Sequence, residues 1–310
     1  MPVNKYNVPL AMTTCVFCLV LLTGCAAPKV KDAGLLDSTT LHGETGEESM
    51  SPANAALLRG DAAFRHGDHD RALMEYLRAV DKDQDTPDAF CRIGRLQATQ
   101  KNAPLAHKAY ARALELNPEH ADALEGMGLL LLEQRRYDEA GEYLDRAVTA
   151  DPTRWRSHNG LGIRADLQGD PEAAAMHYEA ALLHVPNSPL LLNNLGYSLY
   201  LAGEWEQAAD KFHAAVTQDL GYAPAWRNLG LVYARQARFD MALKAFERVM
   251  LTAQAQNAVG YLCMLDGRYA EAERFFREAI RQSPSYYETA RQNLARNTDL
   301  LTRHPMPQDN

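Results

Sequence analysis

The sequence is short of positive charge: 32 Lys and Arg stand against 40 Asp and Glu, for a formal net charge of -8. Phosphate binding calls for a basic face, and no basic run supplies one, which argues against a nucleic-acid partner. Cysteine is scarce as well, five in 310 residues. Cys15 and Cys18 have C-x-x-C spacing but lie inside an amino-terminal apolar run, where a redox role is not expected. That run, Val8 to Leu22, is the one long apolar stretch, and it falls short of the about 20 residues a bilayer-spanning helix needs. No H-E-x-x-H, G-x-S-x-G or P-loop pattern occurs, so catalysis, metal and cofactor all lack their usual residues and none is expected.

Two fragments invite chemistry and have plainer explanations. Gly160-Leu161-Gly162-Ile163-Arg164-Ala165 matches G-x-G-x-x-A, but a dinucleotide loop works only between a strand and a helix, and here the pattern is helical. His66-Gly67-Asp68-His69-Asp70 carries metal-ligand types, yet it occupies a position where an interhelical turn is expected.

What the sequence has in abundance is small residues in register. From Ala121 to Arg154, apolar residues fall three or four apart in two blocks, Leu124 to Leu131 and Ala140 to Ala147, separated by Arg135-Arg136-Tyr137-Asp138 and closed by Asp151-Pro152. This predicts a helix, a tight turn and a second helix, each with one face to bury. Gly128 lies mid-helix, at a cost of about 1 kcal/mol relative to Ala, and close approach to Ala140 on the second helix is the expected compensation.

Steps of thirty-four residues from Gly128 reach Gly60, Gly94, Gly162, Gly196 and Gly230, and a shorter step reaches Gly260. Ala72, Ala106, Ala140, Ala174, Ala208, Ala242 and Ala272 repeat in the same way, with Tyr76, Tyr110, Leu144, Tyr178, Phe212, Phe246 and Phe276 behind them. Period and positions resemble the tetratricopeptide repeat. The resemblance implies an all-α, right-handed solenoid of about seven helix-turn-helix units over residues 53–286. Pro118, Pro152, Pro186 and Pro284 match the family's terminal proline, whereas Gln84 and Leu220 depart from it. The sixth unit is short, with no proline or glycine from Arg248 to Gln254. A tighter or continuous link is expected there, with a local change of superhelical pitch. Residues 287–301 read as a capping helix, with Tyr287, Ala290, Leu294 and Leu301 on its inner side, followed by a loose tail over 302–310.

The amino terminus is a different kind of segment. Residues 1–24 read as a signal peptide, and Leu22-Thr23-Gly24-Cys25 resembles the bacterial lipobox. That resemblance implies cleavage before Cys25 and fatty acylation of its thiol, palmitate included, giving a membrane anchor. The mature chain would then carry 31 basic and 40 acidic residues, a charge of -9. Ala26 in place of Asp implies, by similarity to enteric lipoproteins, the periplasmic side of the outer membrane. Residues 25–52 are polar and aperiodic, a flexible tether. Cys91 and Cys263 fall in distant units, so both are expected as free thiols, with Cys263 packed between helices.

In the repeat family the first helix of each unit lines a concave groove, which here implies a face containing Asn193, Asn194, Tyr197, Tyr200, Arg227, Asn228, Leu231, Asn257 and Tyr261. Amides suit a peptide backbone and tyrosines supply stiff contact area, so a protein segment is the expected ligand. The carboxylate clamp of chaperone-binding relatives is not matched, because Asn is absent where it requires one. The layout of signal, lipobox, tether and seven units is similar to lipoproteins of Tad pilus assembly and to pilotins of type IV pili. Those resemblances imply a scaffold or chaperone for an outer-membrane secretin or pilus component. An NlpI-like adaptor that recruits peptidases and cell-wall hydrolases is the alternative.

Overall fold

The computed structural model describes residues 51–283 and 287–303. Among these there are fifteen α-helices and no strand. Seven hairpins follow one another: α1 (Pro52–Arg65) with α2 (His69–Lys82), α3 (Pro87–Thr99) with α4 (Ala103–Leu116), and α5 (Ala121–Glu133) with α6 (Tyr137–Ala150). Next come α7 (Trp155–Gln168) with α8 (Pro171–His184) and α9 (Pro189–Ala202) with α10 (Trp205–Gln218). The series ends with α11 (Ala223–Arg235) with α12 (Phe239–Glu247), α13 (Thr252–Leu265) with α14 (Tyr269–Gln282), and a final single helix, α15 (Glu288–Arg303). Each helix packs on its own mate and on the next unit, and the odd-numbered helices also touch one another in succession. The core is therefore a continuous strip rather than a central ball.

The repeated glycines have a more specific task than the one read from the sequence. A Cβ on Gly128 would meet the Leu144 side chain at 2.6 Å before the Ala140 carbonyl oxygen at 3.2 Å. On Gly162 it would meet the Tyr178 ring at 2.6 Å. The glycine thus makes a socket for the large residue sixteen positions on, and the close approach of the backbones accompanies it. The small residues at Ala72, Ala106, Ala140, Ala174, Ala208, Ala242 and Ala272 are all fully buried.

The turn within each hairpin is built one way throughout. Gly67, Lys101, Arg135, Gly169, Gly203, Ala237 and Gly267 all take positive φ. The following residue donates its backbone N–H to a carbonyl five positions earlier, as in Asp68 to Ala63, Arg136 to Leu131 and Arg268 to Cys263, at 2.8–2.9 Å. This is the Schellman closure, which satisfies carbonyls left open at a helix end. Asp68 and His69 belong to the first such turn: the Asp68 carboxylate accepts from the Arg71 N–H, and the His69 ring stacks on Phe64 at 5.7 Å.

At the sixth unit the link is tight but the helix is not continuous. α12 has 9 residues where α10 has 14. The Val249 and Met250 N–H groups both donate to the Phe246 carbonyl, and Leu251 is extended, its N–H donating to Gln254 Oε1 at 3.2 Å. The shortening falls on the second helix of the sixth unit, and in the seventh Gly260 seats Phe276 as in the other units.

On α15, Ala290 is fully buried as the periodicity indicates, but so is Asn297, whose Nδ2 donates to the Tyr269 carbonyl at 2.8 Å. Cys91 and Cys263 are buried free thiols, and burial pushes each up to about 12, which disfavours the thiolate. Among the described residues no helix is long and apolar enough to cross a membrane. The signal peptide, Cys25, the tether up to residue 50, Pro284 and the tail from residue 304 lie outside the described residues.

Candidate protein-binding face

The odd-numbered helices share one side of the hairpin stack, and their polar residues are joined from unit to unit. In the first half the links are ionic. Arg92 on α3 donates to Asp61 on α1 at 3.0 Å and to Asp88 at 2.9 Å. Arg154, at the start of α7, pairs with Asp122 on α5 and with Asp151. Ser157 on α7 donates to Glu125 on α5 at 2.9 Å.

In the second half amides take over. Asn194 Nδ2 on α9 donates to Asn159 Oδ1 on α7 at 2.9 Å, and Asn228 Nδ2 on α11 donates to Asn193 Oδ1 on α9, also at 2.9 Å. Asn193 and Asn194 are themselves linked at 3.4 Å, so four amides run across three helices. Asn257 on α13 is outside this run and accepts from Asn293 on α15 at 3.0 Å. Asn193 is only 6% exposed, so it holds its neighbours in place, while Asn194 and Asn228 are half-buried and reach the surface.

Tyr197 and Tyr200 stack with ring centroids 6.2 Å apart. The Tyr200 hydroxyl accepts from Arg235 Nε on α11 at 3.1 Å, and Arg235 also pairs with Asp266 beyond α13. Burial works against the Arg235 charge, but the Tyr200 bond and the nearby Asp266 carboxylate outweigh it and raise its pKa. Arg227, Leu231 and Tyr261 are half-buried on α11 and α13.

Asn159 and Asp166 are the residues sequence reasoning missed as working members. Asp166 on α7 accepts from the Tyr178 hydroxyl at 2.9 Å, and burial raises its carboxyl to about 6 against the partial relief of its hydrogen bonds. The signal that could have found the cross-links is a spacing of thirty-five rather than thirty-four, shared by Asn159–Asn194, Asn193–Asn228 and Tyr200–Arg235. A bond from a residue of one unit to the residue just past its equivalent in the next unit has that offset.

Chemically, the face is a rigid hydrogen-bonding strip beside stacked phenol rings. Each amide has two N–H donors and an oxygen with two lone pairs, so one bond in each direction leaves capacity for a ligand. Among the described residues no cluster of metal-ligating side chains occurs.

The model of the family described as tetratricopeptide repeat matches residues 50–89, 91–154, 160–224, 202–251 and 227–287. No curated protein matches the chain in sequence. Among solved structures, a chain of the APC/C hetero-tetramer Cut9–Hcn1 is similar at 18% identity and TM-score 0.57. That likeness covers 79% of this chain and 49% of that one, so the chain spans about half of that relative's length. Pseudomonas aeruginosa PilF is similar at 20% identity and TM-score 0.54, covering 79% of this chain and 97% of PilF. YrrB, a TPR protein with an unusual peptide-binding site, is similar at 23% identity and TM-score 0.50, covering 58% and 92%.

Proposed function

Starting from the fact that this chain belongs to the tetratricopeptide repeat family, a family of protein–protein interaction scaffolds, we propose that its amide-lined face holds a segment of an outer-membrane secretin during pilus assembly. In this reading Cys25 carries the lipid that takes the pair to the outer membrane, with the repeats facing the periplasm. Asn194, Tyr197, Tyr200, Asn228 and Tyr261 make contact. Asn193, Asn257 and Arg235 position them, and Arg227 and Leu231 flank the strip. The carrying observation is the ladder from Asn159 to Asn228, whose side chains are fixed before any ligand arrives. Fixed donors spare a ligand the cost of ordering them, about 0.5–1.5 kcal/mol for each rotamer-rich side chain. The fold shared with PilF over almost all of that chain supports the pilus assignment, alongside the expected signal, lipobox and tether.

The test is co-purification of the full chain from its native envelope, probed for the secretin subunit of the same organism. Secretin is expected with the wild-type chain and a loss of about tenfold with Asn228→Ala or Tyr197→Ala, at unchanged helical content. Capture of several soluble peptidases and hydrolases without secretin would replace this reading with the adaptor one. Secretin capture indifferent to both substitutions would move the site off this face.

A further inference from the structure

The second helix of the fourth unit differs from those of the units on either side. On α8, Met176 is 71% and Leu183 82% exposed, among the most exposed large apolar residues described. With the half-buried Ala173 and Ala180 they form a stripe spaced three, four and three, in which Met176 and Leu183 lie opposite the buried Ala174, Tyr178 and Ala181. The same four positions hold Glu139, Glu142, Arg146 and Thr149 on α6, and Gln207, Asp210, Ala214 and Thr217 on α10. Neighbouring outer helices are thus polar where α8 is apolar. Helix α8 packs on α7 and α9; Ala173, at one end of the stripe, is partly buried against that core, while Met176 and Leu183 point away from it.

We infer that this stripe is a self-association surface on which α8 of a second copy of the chain lies parallel to the first. The polar side chains flanking the stripe select both occupant and direction. In heptad terms Ala173, Met176, Ala180 and Leu183 are the a and d residues, Glu172 and Glu179 are the g residues, and His177 and His184 are the e residues. A parallel pair brings g of one helix beside the e residue five positions on in the other. Glu172 then faces His177 of the second copy, and Glu179 faces His184, twice over by symmetry. An imidazole N–H donates to a carboxylate whether or not the ring is protonated. An antiparallel pair would set Glu against Glu and is disfavoured. Two heptads are too few to associate as free peptides, but here the repeat has already paid the ordering cost of the helix. The fourth unit is also the middle one of seven, which leaves room for a two-fold contact between equal patches.

Cysteine cross-linking of the full chain tests both the contact and its direction. Leu183→Cys and Met176→Cys should each form a disulfide-linked dimer on mild oxidation, because d residues of a parallel pair face their own copies. Leu220→Cys, at a site 78% exposed but off the stripe, sets the background. Buried Cys91 and Cys263 are not expected to contribute. Sedimentation at about 100 μM should show dimer for the wild-type chain and half that mass for Met176→Glu with Leu183→Glu, at equal helicity. A monomeric wild-type chain, or cross-linking no greater than that of Leu220→Cys, overturns the proposal. Cross-linking seen only between Leu183→Cys and Ala173→Cys chains overturns the parallel arrangement.

Discussion

Asp166 holds a charge where the fold gives it little help. Its Oδ2 accepts from Tyr178, but among the described residues Oδ1 has no hydrogen-bond partner, and burial raises the carboxyl from 3.8 to about 6. Because the folded-state value lies above the unfolded one, the folded chain binds more protons between about pH 4 and 6, and stability from this group increases as pH falls through that window. Above it the cost of burying the carboxylate is fully present. Asp166→Asn should therefore stabilise the protein at pH 7.5 by on the order of 2 kcal/mol relative to its effect at pH 4.5, read from urea midpoints at the two pH values. An equal effect at both would mean the carboxyl titrates normally. Asp166 was not legible as a buried acid. Its burial depends on Tyr178 leaning across from the paired helix, which spacing alone does not reveal.

At the scale of the element, the hairpin was the most legible feature, since a glycine socket and its large occupant recur sixteen residues apart in every unit. The turn was less so. All seven turns place one residue at positive φ, yet only four use glycine, and Lys101, Arg135 and Ala237 hide the pattern. Tertiary packing forces those three into a conformation that costs an L-residue roughly 1–2 kcal/mol. Glycine would remove that strain and return part of the gain as unfolded-state entropy. Ala237→Gly should accordingly raise stability by about 0.5–1 kcal/mol, visible as a higher thermal midpoint, whereas the same change at Ala234, buried inside α11, should lower it. A destabilised Ala237→Gly would show that the turn is not strained. The break after α12 was illegible for a related reason: it is made by Gln254 accepting from the Leu251 N–H, without proline or glycine.

Across the whole repeat region, stability is shared between neighbours rather than gathered in one place, because each hairpin rests only on the units beside it. The first and last units then depend on what covers them. Helix α15 covers the seventh: Ala290 and Asn297 are fully buried, Asn297 binds the Tyr269 carbonyl of α14, and Asn293 binds Asn257 of α13. Removing the chain after residue 286 would expose the apolar side of α14 and leave the Asn257 amide without its partner. The consequence should be local. Hydrogen exchange in α13 and α14 is expected to speed up at least about tenfold, a loss of roughly 1.4 kcal/mol or more, while α1 to α4 keep their protection. Exchange that quickens evenly from α1 to α14 would instead mean that the seven hairpins unfold as one cooperative body. The ladder from Asn159 to Asn228 would then report on the stability of the whole stack, not of its own three helices.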